Sequence, residues 1–314
     1  MRDYVMVLGS GMMGSGIGAM SALAGKKTIL VDLNEEKTTQ GYKRALECIK
    51  LRQENGLNTK DEADRAAGLL STSVDLKQSA EKAFLVIEAI VENLEVKQSV
   101  FKELDELLPE DVPICSNTSG LRITDIAAFC KHPERTVTTH FWLPAHLIPL
   151  VEVVMGDKTD LELAQKIVSE LKTWRKKPVL VRKDLPGQLA NRIFQAIIRE
   201  AVSIVASGLA SAEDVDMAIS CGMAMRFPEW GPLKHLDAIG LNLGLSVQDT
   251  VLPDICADKT ANEYLRNLVQ QGDLGVTSGK GFYDWTTRNI EKDIEKRDKF
   301  IIEAVKITDR IERE

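Results

Sequence analysis

The chain has 314 residues, of which 44% are hydrophobic and 28% are charged, and its formal net charge is −7. This length predicts about two domains with a sizeable core, and the negative charge argues against a protein that binds nucleic acid or an anionic membrane surface. No apolar run is long enough to span a bilayer. Five widely spaced cysteines without a CxxC pair predict no metal site and a cytoplasmic protein with reduced thiols.

The first predicted elements form a dinucleotide-binding unit. A strand over 5–8 leads into Gly9-x-Gly11-x-x-Gly14, a helix rich in small residues follows, and a second strand ends at Asp32. Gly9 allows a tight turn, Gly11 lets the backbone approach a pyrophosphate, and Gly14 allows close packing of helix and strand. The N-terminus of the helix offers free N–H groups and a positive dipole end to the phosphates.

Asp32 indicates which dinucleotide binds. Its carboxylate can accept hydrogen bonds from the ribose hydroxyls and would repel a 2′-phosphate. No arginine follows it directly, and the next charged residues are Glu35 and Glu36. The sequence therefore predicts NAD rather than NADP.

Strands and helices alternate through the rest of the first 184 residues. This alternation is typical of α/β proteins with a doubly wound sheet of the Rossmann type. Further strands are predicted over 83–88, 112–115, 136–140, 150–154 and 179–181, and helices over 35–55, 94–108, 123–129 and 160–173. The charged segment 35–70, interrupted by Gly56, predicts a helical hairpin inserted after the second strand.

The pattern changes near residue 184. Strand signals end there, and long amphipathic helices are predicted over 191–206, 212–221, 232–250 and 260–271. We therefore predict an NAD-binding domain over 1–184 and an all-helical domain over 185–314. The charged tail after Trp285 has apolar residues at 294, 301, 305 and 311, which predicts a surface helix packed along one stripe. A role of this tail in oligomer contacts is the alternative.

Candidate catalytic side chains follow the later strands. His140 ends a predicted strand, and Glu152 lies twelve residues further on, inside an apolar run. A buried carboxylate needs a partner, and a Glu–His pair fixes the imidazole tautomer and raises its basicity, as a general base for alcohol oxidation requires. The spacing alone equally allows a structural histidine and a glutamate at a strand edge.

Two further polar residues are candidates for binding a substrate. Ser119 follows the strand at 112–115, at the edge where ligands of a doubly wound sheet bind, so that it can hydrogen-bond a substrate oxygen. Asn191 opens the first long helix of the predicted second domain. Helix capping is the alternative for both residues, and for Asn191 taken alone it is the better explanation.

With these residues identified, the chain resembles the 3-hydroxyacyl-CoA dehydrogenase family over nearly its whole length. Seven motifs in family order carry the resemblance, which makes a coincidence implausible. They are GSGMMGSGI (9–17), VIEAIVENLEVK (86–97), SNTSGLRIT (116–124), HFWLPAHLIPLVEVV (140–154), KDLPGQLANR (183–192), GPLKHLDAIGL (231–241) and GDLGVTSGKGFYDW (272–285).

The resemblance implies NAD-dependent oxidation of a 3-hydroxyl group to a ketone, or the reverse, in a homodimer whose helical domain supplies the interface. It implies that His140 is the catalytic base, that Glu152 orients it, and that Ser119 and Asn191 hold the reacting oxygen. It also implies cofactor contacts from Gly9, Gly11, Met13, Gly14, Asp32, Glu92, Lys97 and Asn117. The last three match positions on the nicotinamide-ribose side, although an exposed ion pair between Glu92 and Lys97 would look the same in the sequence.

The chain departs from the family pattern at several positions. Leu143 replaces the usual asparagine before Pro144, and Gln188 replaces the aromatic residue after Pro-Gly. The family's CoA-contacting serine and lysine align with Ala45 and Arg52. The serine is lost and the basic residue is only partly kept, so the CoA signature is weak.

A longer segment before Gly231-Pro232 contains Arg226. It resembles the branch of the family that acts on small free acids, which includes L-gulonate 3-dehydrogenases (lambda-crystallin-like), carnitine dehydrogenase and a pyridine-carboxylate dehydrogenase. Arg226 is therefore a candidate for holding a substrate carboxylate through a bidentate pair. An ion pair with a residue such as Glu229 is the alternative.

Three functions fit the sequence. The first is NAD-dependent oxidation of a small 3-hydroxy carboxylate, favoured by Arg226 and the weak CoA signature. The second is an L-3-hydroxyacyl-CoA dehydrogenase of fatty-acid metabolism, favoured by the fidelity of the motifs. The third is a catalytically idle NAD-binding protein, structural or redox-sensing, which the intact set of His140, Glu152, Ser119 and Asn191 argues against.

Overall fold

An eight-stranded sheet lies at the centre of the first part of the chain in the computed structural model, which describes residues 3–311. The strands are β1 (Tyr4–Leu8), β2 (Lys27–Val31), β3 (Leu70–Ser73), β4 (Ala83–Glu88), β5 (Ile114–Ser116), β6 (Thr136–Phe141), β7 (Leu150–Val154) and β8 (Lys177–Val181). Their order is β3-β2-β1-β4-β5-β6-β7-β8, and every pair is parallel except β6 with β7. This arrangement confirms the predicted doubly wound sheet.

Helices on both faces bury the central strands, which explains their continuous apolar runs. Val5, Met6 and Val7 of β1 have no exposed surface. The helices are α1 (Met12–Leu23), α2 (Glu35–Glu54), α3 (Lys60–Leu69), α4 (Leu76–Ala80), α5 (Leu94–Leu107), α6 (Ile123–Ile126) and α7 (Leu161–Thr173).

The predicted helical hairpin consists of α2 and α3. Asn34 caps the first helix by accepting a hydrogen bond from the backbone N–H of Lys37. Thr59 and Glu62 form a capping box at the start of the second. The turn between the helices contains Gly56 at a φ of 72°, a conformation that glycine adopts without steric cost.

Apart from isolated β-bridges that join Gly275, Lys280 and Asp284, the regular elements of residues 190–311 are helices. They are α8 (Ala190–Ala206), α9 (Ala212–Met217), α10 (Pro232–Ile239), α11 (Leu241–Val251), α12 (Glu263–Gln270) and α13 (Ile290–Ile311). The helix predicted over 232–250 is divided at Gly240, whose φ is 95°. The helix predicted over 212–221 ends earlier and continues as a π-helix at Ala218–Met223.

The described residues fall into two units, one of residues 3–190 and 300–309 and one of residues 191–299 and 310–311. The boundary predicted from the sequence lies after residue 184, with the whole tail in the second domain. Residues 300–309 of the tail instead belong to the first unit, because Ile302 of α13 is buried against Leu57 and Leu147 of that unit. Among residues 3–311, no helix is both long and apolar enough to cross a membrane.

Candidate active site

The glycine motif forms a tight cradle between β1 and α1. Gly9 has a φ of 96°, and a Cβ at Gly14 would collide with the carbonyl oxygen of Gly9. Gly11 is the N-cap residue of α1, and it has no side chain that could accept a hydrogen bond from the first N–H groups of the helix. The first N–H groups of the helix are therefore available to an anionic ligand.

Asp32 is tied to this cradle through Ser10. One carboxylate oxygen, Oδ2, accepts hydrogen bonds from the backbone N–H and the hydroxyl of Ser10, both at 2.8 Å. Burial by itself raises the pKa of Asp32, but the hydrogen bonds from Ser10 and Leu33 outweigh it and lower the pKa. Asp32 is therefore ionised at neutral pH, as an acceptor for ribose hydroxyls requires.

Helix α2 reaches the same loop at a glycine. A Cβ at Gly41 would lie 2.6 Å from the carbonyl oxygen of Ser10. This close approach lets Arg44, one turn later, donate a hydrogen bond of 3.1 Å to that carbonyl. Gly41 and Arg44 are not predicted from the sequence, because nothing in the spacing shows which helix contacts the loop.

His140 and Glu152 face each other on β6 and β7. They are direct partners in the antiparallel register, and the distance from Nδ1 of His140 to Oε2 of Glu152 is 2.8 Å. The antiparallel turn between the strands thus accounts for their separation of twelve residues in the sequence. No protein group among residues 3–311 hydrogen-bonds Nε2 of His140, which leaves this nitrogen available to a ligand.

Glu152 is held by three further hydrogen bonds. Trp142 donates from Nε1 at 3.0 Å, and the backbone N–H groups of Leu189 and Ala190 donate to Oε1 at 2.8 Å each. Burial by itself raises the pKa of Glu152, but the four hydrogen bonds prevail and lower it to about 2. The carboxylate therefore stays ionised and fixes the imidazole with its proton on Nδ1.

The Ser119 loop is organised by a second carboxylate. Oε1 of Glu92 accepts hydrogen bonds from the Thr118 hydroxyl at 2.5 Å and from the backbone N–H groups of Ser119 and Gly120 at 3.0 and 3.2 Å. Ser119 itself is exposed. Its hydroxyl makes no hydrogen bond within the described part of the chain, so it is free to bind a ligand oxygen.

Lys97 is buried beneath this loop rather than exposed in a surface pair. Its side chain is 1% exposed, and its Nζ lies 2.5 Å from Glu88 and 3.4 Å from Glu92. Glu88 also accepts a hydrogen bond of 2.6 Å from the Ser116 hydroxyl. Glu88 is not predicted as a site residue from the sequence, because it is the last residue of an apolar strand.

Asn117 follows β5, and Met13 lies in α1, directly after the glycine-rich turn that follows β1. Oδ1 of Asn117 accepts a hydrogen bond of 2.8 Å from the backbone N–H of Phe141, which ties the end of β5 to the end of β6. Met13 is partly buried in the first turn of α1. The first unit therefore brings together all the predicted site residues that lie before residue 190.

The remaining predicted site residues belong to the second unit. Asn191 lies at the start of α8, where Gln195 donates a hydrogen bond of 3.4 Å to its Oδ1. Arg226 is exposed, and its guanidinium makes no ion pair or hydrogen bond with any of residues 3–311. The alternative partner Glu229 pairs instead with Lys234 at 2.8 Å.

The two positions aligned with CoA contacts are not accessible. Ala45 has no exposed surface, and Arg52 is 5% exposed. The guanidinium of Arg52 donates to Oδ1 of Asn58 at 2.8 Å and to the carbonyl of His146 at 2.6 Å. The positive charge of Arg52 is therefore buried and hydrogen-bonded to groups of the first unit.

Two family models match this chain. The family model of the 3-hydroxyacyl-CoA dehydrogenase NAD binding domain matches residues 4–185, and the model of the C-terminal domain matches residues 187–285. The chain belongs to the 3-hydroxyacyl-CoA dehydrogenase family. It is an NAD-dependent oxidoreductase that acts on a CH–OH group.

Several members of the family are similar to this chain over most of its length. A probable 3-hydroxybutyryl-CoA dehydrogenase from Bacillus subtilis is 37% identical over 282 residues, which cover 90% of this chain and 96% of the relative. A crystal structure of 5-formyl-3-hydroxy-2-methylpyridine 4-carboxylic acid 5-dehydrogenase has a TM-score of 0.90 at 27% identity and covers 98% of this chain and 99% of that one. The crystal structure of (S)-3-hydroxybutyryl-CoA dehydrogenase from Ralstonia eutropha has a TM-score of 0.74 at 29% identity and covers 91% of this chain and 99% of that one.

The first unit contains a cavity that fits NAD, the cofactor of the family. A cavity of about 610 Å³ opens between the glycine motif, Asp32 and the apolar side chains that follow β4. Its polar wall suits a ribose and its apolar wall suits an adenine ring. Residues 3–311 contain no group of three or more His, Cys, Asp and Glu side chains placed to hold a metal ion.

Proposed function

We propose that this dehydrogenase oxidises the hydroxyl group of a small 3-hydroxy carboxylate to a ketone, or catalyses the reverse reaction. The observation that carries the proposal is the unpaired guanidinium of Arg226. An exposed arginine without a protein partner can bind a carboxylate in a bidentate pair. The nearby carboxylate of Glu229 does not compete for it, because Lys234 already occupies that group.

The hairpin of α2 and α3 supports a free acid over a CoA thioester. The basic residue aligned with a CoA contact, Arg52, is buried and donates its hydrogen bonds to Asn58 and to the carbonyl of His146. The overall fold also follows the pyridine-carboxylate dehydrogenase, with a TM-score of 0.90, more closely than the (S)-3-hydroxybutyryl-CoA dehydrogenase, with 0.74. The first enzyme is named after a carboxylic acid substrate.

In the proposed mechanism His140 is the general base. Its Nε2 accepts the proton of the substrate hydroxyl. Glu152, which hydrogen-bonds Nδ1 on the opposite side of the ring, stabilises the imidazolium that forms. Ser119, held in place by Glu92, donates a hydrogen bond to the reacting oxygen, and Asn191 is proposed to contact the same oxygen. Bound NAD would supply the hydride acceptor. The residues proposed to hold it are Gly9, Gly11, Met13, Gly14, Asp32, Glu92, Lys97 and Asn117.

A second candidate substrate is an L-3-hydroxyacyl-CoA such as 3-hydroxybutyryl-CoA. The 37% identity to the probable 3-hydroxybutyryl-CoA dehydrogenase favours it. Both candidates use the same catalytic residues and differ only in the group that anchors the substrate. A catalytically idle NAD-binding protein is the third candidate, and the ordered His140–Glu152 pair argues against it.

The deciding experiment compares free 3-hydroxy acids with L-3-hydroxybutyryl-CoA as substrates, following NADH formation. We expect turnover of a free acid, and we expect Arg226→Ala to lower kcat/KM for it by about 10–100-fold because a charge-assisted pair is lost. Arg266→Ala is the matched control, since Arg266 is also half-exposed in the second unit and pairs with Glu263. Strong activity on the thioester that is indifferent to Arg226 would contradict the proposal.

We also propose that the protein is a homodimer formed through its second unit. The large apolar side chains of α11 are mostly exposed, which is unusual for a helix of a monomer. Those exposed in and directly after α11 are Leu241, Leu243, Leu245, Val247, Val251 and Leu252. A second copy of the chain would bury them.

A further inference from the structure

Gln188 lies on the segment that leads from β8 to α8, and it is 5% exposed. Its φ of 54° is in the left-handed region, which costs a residue other than glycine conformational energy. Its side chain is directed by a hydrogen bond of 2.9 Å from Nε2 to the carbonyl oxygen of Thr118. The backbone strain and the buried amide together indicate a residue with a defined task.

The other end of this amide is unpaired. A carbonyl can only accept a hydrogen bond, so the Thr118 carbonyl fixes which atom of the Gln188 amide is the nitrogen. Oε1 is then buried, and it has no hydrogen-bond partner among residues 3–311. Buried acceptors of this kind are nearly always paired, because losing water without a replacement is unfavourable.

The segment around Gln188 contacts both parts of the candidate active site. Thr118 directly precedes Ser119, and Oε1 of Gln188 is bonded to the same carbon as the nitrogen that contacts Thr118. On the other side, the next two residues of the chain, Leu189 and Ala190, donate to Glu152. Gln188 thus joins the Ser119 loop to the carboxylate that orients His140.

We propose that Oε1 of Gln188 accepts a hydrogen bond from an N–H or O–H group of a ligand bound at His140. The reacting hydroxyl cannot be this donor, because in the proposed function its single proton goes to Nε2 of His140. Two sources remain, namely the carboxamide N–H of the nicotinamide and a second hydroxyl of the substrate. The aromatic ring that the family resemblance implies at this position carries no amide oxygen, so Gln188 would favour a ligand that has this donor. The substrate arm of this inference rests on the proposed function.

The cofactor arm is tested by binding alone. Fluorescence titration gives the Kd of NADH and of reduced 3-acetylpyridine adenine dinucleotide, in which an acetyl group replaces the carboxamide and the pyridine ring substituent has no N–H. If the cofactor is the donor, Gln188→Met binds NADH roughly 3–10-fold more weakly than the wild type, and both proteins bind the analogue equally. Gln98→Met is the matched control, since Gln98 also donates from Nε2 to a backbone carbonyl, that of Asp125, at 2.8 Å.

The substrate arm is tested by kinetics on 3-hydroxybutyrate and 3,4-dihydroxybutyrate, which differ by one hydroxyl. If the substrate is the donor, the wild type prefers the dihydroxy acid in kcat/KM, and Gln188→Met lowers that preference roughly 3–10-fold without changing the NADH Kd. Gln188→Asn keeps the amide and tolerates the left-handed backbone, but its side chain is one methylene shorter. It should show the same loss.

The inference is overturned if the variants keep the wild-type melting temperature and change neither the NADH Kd nor the preference between the two acids. A wild type that binds NADH but turns over no hydroxy acid would instead contradict the proposed function. In that case the Kd comparison alone decides the role of Gln188, and an unchanged Kd rejects it.

Discussion

Glu152 receives four hydrogen bonds, and only one of them comes from His140. The other three hold the carboxylate in place whether or not the imidazole is charged. The histidine can therefore gain and lose a proton during turnover without the pair rearranging. This rigidity is what a general base requires, since its reach to the substrate must stay within hydrogen-bond distance.

Replacing His140 should separate catalysis from cofactor binding. We expect His140→Gln to lower kcat by about 10²–10⁴-fold, because the base is lost, while the NADH Kd stays within about twofold. His132→Gln is the control, since His132 is a partly exposed histidine near Glu110 and Glu134. Near-normal turnover of His140→Gln would remove this residue from the mechanism.

The depressed pKa of Glu152 predicts how stability depends on pH. The pKa is about 2 in the folded protein and 4.5 for the ordinary side chain, so the folded state favours the ionised form. The resulting stabilisation, about 3 kcal/mol at full effect, is present above pH 4.5 and is lost as the pH falls towards 2.

Urea unfolding of the wild type and Glu152→Gln at several pH values measures this contribution. We expect the variant to be less stable at pH 7, and we expect the difference in the free energy of unfolding to shrink steadily below pH 4.5. A difference that stays constant down to pH 2 would mean that the carboxylate is not held in its ionised form.

At the scale of elements, the cofactor cavity depends on how closely α2 approaches the glycine motif. Gly41 permits this approach, because a Cβ there would meet the backbone of Ser10. Ser10 in turn holds Asp32, so a displacement of α2 would disturb the groups proposed to bind the ribose. A helix that contributes no residue to the motif thereby sets its geometry.

Gly41→Ala should weaken NADH binding and destabilise the fold by about 1–3 kcal/mol, since the added methyl group overpacks the contact. Gly68→Ala is the matched control, because Gly68 is the penultimate residue of α3 and an added Cβ there would have no atom within 4 Å. The control should leave NADH binding unchanged and stabilise the protein slightly. Equal effects of both variants on the NADH Kd would contradict this account.

The sequence predicted elements whose signals are local and missed features that depend on tertiary contacts. The glycine motif, Asp32 and the apolar strands of the sheet follow from spacing and composition. Strand β3, with the sequence LSTS, was missed because it is short and polar. The positions of Glu88 and Gly41 could not be predicted, since only the folded chain shows what they contact.

At the scale of the whole molecule, the second unit has little core of its own. Val202 and Val215 are its buried large apolar side chains among the described residues, whereas the apolar residues of α11 are mostly exposed. A unit with so little buried surface is not expected to be stable as an isolated fold. Association with a second copy would supply the missing burial.

Light scattering should therefore show a dimer for the wild type at micromolar concentration. We expect Leu241→Lys combined with Leu245→Lys to shift it towards a monomer and to lower its melting temperature, since both side chains are at least 60% exposed on one face of α11. Phe129→Lys is the control, because Phe129 is 62% exposed but lies in the first unit. A monomeric wild type would contradict the proposed dimer.

Residues 300–309 belong to the first unit although residues 191–299 separate them from it in the sequence. Ile302 covers Leu57 and Leu147, which are translated long before it. While the protein is being synthesised, these two side chains stay uncovered until the segment around Ile302 has left the ribosome. The Rossmann sheet can assemble early, but Leu57 and Leu147 are buried only after the entire helical region has been made. During this interval the nascent chain exposes an apolar patch to chaperones and to other nascent chains.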